Sequence, residues 1–382
     1  MSLEKRAHEC LSDLDNDIIM PIARLRKYID KMLSSGKMTI TSERFSQQLS
    51  KFRFSQHFVP VDIQDAIRRD VNNVDRLSFD YRGTRYTIEL YSHMRDLGRH
   101  SSSSLVNRKS RMVDAMSITV GMSRWCSCGL GDANVVIKLY DIDAPKMFSM
   151  DGQPITPSQV NSAYTIPCRY ADDNGSGKYL EAVIFRKEEW TKVLLHELMH
   201  LYSYDISSND RRINARLSRV FHVDCDFNVT EAYAEFWARI LWTMWSSGGR
   251  GNRFSEEIER QRQWSIRQGV MVTVNAELSR ELNDDRSRIP KCKETTASFS
   301  YYVICGLMMT EWEKVVLWCC ETNKFPIVFR GGYASVNSLI SLLKEIDSNS
   351  IVIEEWAKQR DSLLKNKRMS LSSRMTRERI KS

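Results

Sequence analysis

Glycine and proline are scarce, 16 and 8 in 382 residues, which excludes a low-complexity or collagen-like chain. No apolar run approaches the roughly 18 residues that a bilayer span requires, so no membrane partner is expected. The opening Met1-Ser-Leu-Glu-Lys-Arg-Ala-His-Glu-Cys10 lacks an apolar h-region, and no secretory signal is expected there. Cysteine is limited to nine, an odd number with mostly irregular spacing. That pattern fits buried or free thiols in a reducing compartment, so the expected class is soluble and intracellular, located in the cytoplasm and not secreted. With 42% hydrophobic and 27% charged residues, the remaining composition is that of a globular protein.

The net charge of +8 is unevenly placed. From Arg360 to Ser382 there are eight Lys/Arg against Asp361 and Glu378, which leaves the body nearly neutral. A basic tail over 359–382 is therefore expected, either contacting a polyanion by counterion release or lying solvated as a frayed terminus. Arg108, Lys109, Arg111 and the Arg211, Arg212, Arg216, Arg219 group pose the same choice between an anion-binding surface and solvated faces.

Apolar residues at helical spacing (Leu11, Leu14, Ile18, Ile22, Leu25, Ile29) predict a helix over 3–34 that Pro21 kinks or splits. A short helix is expected over 41–52. Alternation around Arg82-Gly83 predicts a hairpin in 75–93. A helix over 105–123 and strands over 134–140, 162–169 and 179–186 follow, with a turn cluster at 172–177. The stretches 190–204 and 229–245 read as helices that are apolar nearly all round, hence buried. A linker at 246–252 precedes helices near 254–283, 297–321, 334–346 and 351–365. Helices, then strands, then helices imply an α+β fold.

The chemistry concentrates in Val193-Leu-Leu-His196-Glu197-Leu-Met-His200-Leu-Tyr. Residues four apart share a helix face, so both imidazoles can aim at one ion, and Glu197 beside them can reach a water on that ion. A catalytic zinc site usually takes a third protein ligand. The expected one lies in Thr230-Glu231-Ala-Tyr-Ala-Glu235-Phe-Trp-Ala238, where two carboxylates sit among apolar residues. A buried carboxylate there needs a cation or hydrogen bonds to compensate it. Glu231 is read as the ligand, and Glu235 as the acid that accepts a ligand histidine's second N–H and fixes its tautomer. The reverse assignment stays open, as does a simple Glu235–Arg239 pair on a wet face. His222, Asp205, Asp224 and Asp226 are rival third ligands.

His196-Glu-Leu-Met-His200, about thirty residues, then Glu231-Ala-Tyr-Ala-Glu235 resembles the gluzincin group of zinc metallopeptidases. The resemblance implies a Glu ligand on a second helix and a supporting acid four residues later. More narrowly, Ala163-Tyr-Thr, Ile184-Phe-Arg-Lys-Glu-Glu-Trp190, the two helices, Ser300-Tyr-Tyr302 and Ser373-Arg-Met-Thr376 resemble uncharacterised HExxH proteins of giant (nucleocytoplasmic large) DNA viruses. That would place the chain in the host cytoplasm or the virion. The departure is Thr230, where familiar gluzincins have Asn before the ligand Glu. What the resemblance implies is a zincin-like core with a small mixed sheet, its HExxH helix packed on the Glu-bearing helix and flanked by N- and C-terminal helices. The expected layout is an N-terminal helical region (1–70), a catalytic core (71–246), a C-terminal helical lobe (247–358) and the tail.

The implied reaction is hydrolysis of a peptide bond in a protein or peptide substrate. Zn²⁺ acidifies water and polarises the carbonyl, and Glu197 takes the proton and returns it to the leaving amine. Tyr301, Tyr302, Tyr233 and Tyr202 are candidates for stabilising the oxyanion, with Tyr301 and Tyr302 preferred. The strand around Ala182 or that around Ala163 is expected to form the cleft edge on which an extended substrate pairs. A different class also fits, a non-catalytic zincin-like virion or host-interaction protein; the intact Glu197 favours the hydrolase. A third reading joins the basic tail to the zinc site, as proteolysis of proteins on DNA. Cys126-Ser-Cys128, a C-x-C without a second pair, reads as ordinary thiols ahead of a metal site.

Overall fold

The computed structural model describes residues 2–44, 58–93, 103–149, 152–171, 178–206, 211–248, 251–282, 294, 296–364 and 368–370. Its first elements are α1 (Leu3–Leu14), a π-helical turn (Asp15–Ile19), α2 (Met20–Ser34), β1 (Thr41–Arg44) and α3 (Val61–Asp70). A hairpin of β2 (Asn73–Tyr81) and β3 (Thr84–Ser92) comes next, then α4 (Ser103–Met122), β4 (Asn134–Tyr140) and β5 (Met147–Ser149). The middle of the chain forms α5 (Pro157–Val160), β6 (Ala163–Thr165), β7 (Tyr179–Ile184), α6 (Trp190–Leu201), α7 (Arg211–Phe221) and α8 (Val229–Ser247). The rest is helical: α9 (Gly251–Leu282), a π-helical stretch (Phe299–Ile304), α10 (Cys305–Thr310), α11 (Trp312–Thr322), α12 (Tyr333–Asp347) and α13 (Ser350–Leu364), before a short β8 (Arg368–Ser370). The fold is α+β. Among the described residues no helix is long and apolar enough to cross a membrane.

Two compact units share these elements. Among the described residues a sheet unit comprises Asn16–Pro145 and Asn161–Tyr204, and a helical unit comprises the segment up to Asp15, Lys146–Val160 and the chain from Asp205 onward. Both units draw on the stretch 71–246.

The sheet unit holds a mixed sheet in the order β1-β2-β3-β4-β7-β6. Arg82 and Gly83, with φ of 50° and 80°, make the tight turn between β2 and β3; positive φ at both central residues matches the right-handed twist of a hairpin. The return from β3 to β4 runs through α4 and is parallel, β4 pairs parallel with β7, and β6 closes the edge antiparallel to β7. Alternation sorts the faces of the central strands. Ile88, Leu90, Val135, Ile137, Leu139, Leu180, Ala182 and Ile184 are buried. The opposite face carries charge, with Arg76 on Glu89 at 2.7 Å and Lys138 on Glu181 at 2.5 Å. Helix α6 packs against β6, β7 and α4.

Two expectations need correcting, and a third, the break near Pro21, is met. Residues 41–44 are a strand paired with β2, not the start of a helix, and 45–52 lie outside the described residues. The strand expected over 162–169 shrinks to β6, because Pro167 opens a 3₁₀ turn at Cys168–Tyr170. The 3–34 helix breaks in a π-helical turn just ahead of Pro21, which sits in the first turn of α2 where its missing N–H is harmless. The turn cluster at 172–177 and most of the basic tail lie outside the described residues.

In the helical unit α9 packs on α8, α10 and α13. Helix α1 lies along α11, tied by the Cys10–Cys320 disulfide and the Arg6–Glu321 ion pair. With Cys128–Cys168 in the sheet unit also bonded, the expectation that the cysteines are free thiols is corrected for four of them. Cys126, Cys225, Cys305 and Cys319 stand outside these two disulfides.

Candidate metal centre

The approach to α6 is built on Arg186. Its buried guanidinium follows β7 and donates to the carbonyls of Asn161 (2.7 Å), Ala144 (2.5 Å) and Pro145 (3.3 Å). Bonding to three carbonyls satisfies a charged group that is costly to bury. Glu189 then turns through a left-handed conformation (φ 54°) into Trp190, whose ring is covered by Arg111 at 5.0 Å. Every residue from Lys192 to Leu201 is buried.

On that helix His196 Nε2 and His200 Nε2 are 3.0 Å apart, with ring planes at 74°. Their exposures are 5% and 8%, and Glu197 between them is at 6%. A separation of 3.0 Å allows one ring N–H to donate to the other ring nitrogen. It is also close to the edge of about 3.3 Å expected between two nitrogens bound at 2.0–2.1 Å to one tetrahedral ion. Two neutral imidazoles with converging lone pairs and a neighbouring carboxylate are a donor set that zinc fits.

The far end of α6 is fixed firmly. Ser203 is left-handed (φ 56°), its N–H bonds to His200 O at 2.9 Å, and the Tyr204 N–H bonds to Met199 O at 2.8 Å. This is the Schellman pattern, with serine where glycine is usual. The Tyr202 hydroxyl donates to Thr119 O at 2.8 Å and that of Tyr204 to Met122 O. Burial holds both phenols protonated well above the usual range. Tyr202 is thus a tether between α6 and α4.

His196, Glu197 and His200 belong to the sheet unit; Glu231, Glu235, Tyr301 and Tyr302 belong to the helical unit. Glu231 stands half-buried in the first turn of α8, where a carboxylate is favoured by the helix dipole. Asn228 stands at the N-cap position without a side-chain cap, its backbone N–H donating to Ser300 Oγ at 2.8 Å, and Thr230 Oγ1 donates to Ile206 O at 2.9 Å. Glu235, fully buried, pairs with Arg239 at 2.8 Å, and Arg239 also donates to Gln268 at 2.7 Å and Gln261 at 3.3 Å. The pair considered from sequence therefore exists, in the interior and not on a wet face.

The π-helical stretch brings Tyr301 to that pair. Burial, and next the charge of Glu235, hold the Tyr301 phenol protonated well above the usual range, and its hydroxyl bonds to the Glu235 carboxylate. Tyr302 is buried beside it, the two rings 4.7 Å apart. Tyr233 points elsewhere, donating to Pro326 O at 3.0 Å and accepting from Asn323 at 3.1 Å.

Of the rival ligands, His222 is exposed after α7 and acts on Asp347, and Asp226 accepts from Asn214 at 3.0 Å. Asp205 is buried and Asp224 exposed, both in the helical unit. Several basic residues turn onto internal partners: Arg108 onto Asp75, Arg111 onto Asp141, Arg216 onto Asn337 and Arg212 over Tyr333.

Sequence reading missed the roles of Arg186 and Ser203. A lone arginine after a strand carries no motif, and a serine in a glycine position shows only through φ. No family model, curated protein or solved structure matches the chain.

Proposed function

We propose that the chain is a zinc-dependent metallopeptidase with a zincin-like core, in which His196, His200 and Glu231 hold the ion. The observation that carries this reading is the 3.0 Å approach of the two Nε2 atoms on a buried helix that also presents Glu197. Glu231 is assigned from the resemblance to gluzincins and from its carboxylate in the first turn of a largely apolar helix.

Zinc, when bound, supplies a Lewis acid that acidifies water and polarises the scissile carbonyl. Glu197 accepts the proton of the attacking water and returns it to the leaving amine nitrogen. Tyr301 and Tyr302 are the phenols preferred as oxyanion donors; Tyr301, whose hydroxyl bonds to the Glu235 carboxylate, would have to exchange that partner for the oxyanion. Strand β6 ends the sheet, whereas β7 lies inside it, so an extended substrate would pair along β6 and not along β7. The substrate is a protein or peptide.

Replacing Glu197 by Gln tests this. The variant should keep its zinc and lose peptide cleavage, measured on a peptide library, by about 10²–10⁴-fold. Cleavage that survives the substitution overturns the mechanism, and absence of cleavage by the wild-type chain favours the non-catalytic binding protein.

A further inference from the structure

Cys126-Ser-Cys128 gains a partner in the fold. A 3₁₀ turn after α4 (Ser123–Trp125) delivers Cys126, and Cys168 opens the 3₁₀ turn that follows β6. The three Sγ atoms all lie within 4.8 Å of one another, Cys128 and Cys168 being bonded and Cys126 3.6 Å from Cys168. Ser203 Oγ completes the group at 3.3 Å from Cys168 Sγ and 3.8 Å from Cys128 Sγ. With Zn–S near 2.3 Å and Zn–O near 2.0 Å, ligand atoms on one tetrahedral ion stand about 3.8 Å (S to S) and about 3.5 Å (S to O) apart. The observed separations of Cys126 from Cys168, and of Ser203 from both bonded sulfurs, have that size.

We propose that, once the Cys128–Cys168 bond is reduced, Cys126, Cys128 and Cys168 bind a thiophilic divalent cation of the zinc class, with Ser203 or a water on it at the fourth corner. Two independent features of the surroundings support a charged centre. Ser203 occupies the left-handed position that ends α6, where glycine would be unstrained, and its hydroxyl faces the sulfurs. Lys178 Nζ donates to Cys128 O at 2.6 Å, which sets a positive charge beside three thiolates that carry one negative charge more than a dication cancels.

The competing use of the cluster is exchange, with Cys126 attacking Cys168 and releasing Cys128. A bound ion would instead staple the end of α4, the segment after β6 and the end of α6, three residues beyond His200. The site is separate from the proposed peptidase centre and does not depend on it.

The test is cobalt(II) titration of the full chain. It is first reduced with a trialkylphosphine, which takes up the oxygen of one water for each disulfide that becomes two thiols, and excess reagent is removed. The expected result is one equivalent bound with strong sulfur-to-cobalt charge-transfer absorption in the near ultraviolet. That absorption should persist in the His196→Ala/His200→Ala variant and disappear in Cys126→Ser and Cys168→Ser. No such absorption in the wild-type chain, or the same absorption in Cys126→Ser, would overturn the proposal. Because the cysteine variants could misfold, zinc release is also followed on zinc-loaded wild-type and His196→Ala chains treated with an organomercurial. One equivalent should leave both; zinc content unmoved by thiol blocking would contradict the site.

Discussion

Glu235 and Arg239 show how a single pair of residues constrains the chemistry around it. Both are nearly inaccessible and joined at 2.8 Å. Removing one partner strands the other charge in the interior, so Glu235→Ala should lower stability by about 3–5 kcal/mol, read as a fall in the denaturant midpoint. An unchanged midpoint would mean that the pair is solvated. Glu231 is half-buried in the first turn of α8, and Glu231→Ala should cost less stability than Glu235→Ala while weakening zinc. The opposite pattern, zinc lost only in the Glu235 variant, would exchange the two assignments. Cys319 gives a second residue-scale expectation. Burial pushes its thiol up to about 12, so it should resist iodoacetamide at pH 8 in the native chain and react once unfolded. Its raised value in the folded state adds stability that is complete below pH 9, the ordinary thiol range, and lost as pH climbs toward 12.

At the scale of elements, periodicity was readable wherever burial was one-sided or complete. Helices α4, α6, α8, α12 and α13 and strand β4 follow their apolar patterns closely. The hairpin was legible because Arg82-Gly83 interrupts two alternating runs. Helix α3 escaped notice: it has ten residues, and its buried Ile63, Gln64 and Ile67 form a short stripe. Helix α7 was hidden by its many arginines. Close helix approach is likewise invisible in sequence. A Cβ on Gly306 would meet Ser265 O at 2.9 Å, and one on Gly269 would meet Trp356 Cη2 at 2.6 Å and Tyr302 O at 3.0 Å. Backbone cannot yield as a flexible side chain does, so Gly306→Ala should cost about 1–3 kcal/mol, measured by chemical denaturation. A neutral result would show that α9 and α10 have room to separate.

Over the whole molecule, the α+β class and the HExxH helix were evident from 382 residues of sequence, whereas the make-up of the two units was not. Each unit is assembled from separated segments, and sequence order says little about which distant segments pack together. The same limit hid Cys168, forty residues from Cys128, from any reading of Cys126-Ser-Cys128. By contrast His196, Glu197 and His200 were legible because helical geometry alone places them. The most direct measurement of the central claim is zinc bound per chain in the wild type and in His196→Ala, His200→Ala and Glu231→Ala variants, with folding checked by circular dichroism. Each folded variant should lose one equivalent, or bind it far more weakly. Zinc content equal to wild type in both histidine variants would contradict the metal centre, and with it the peptidase.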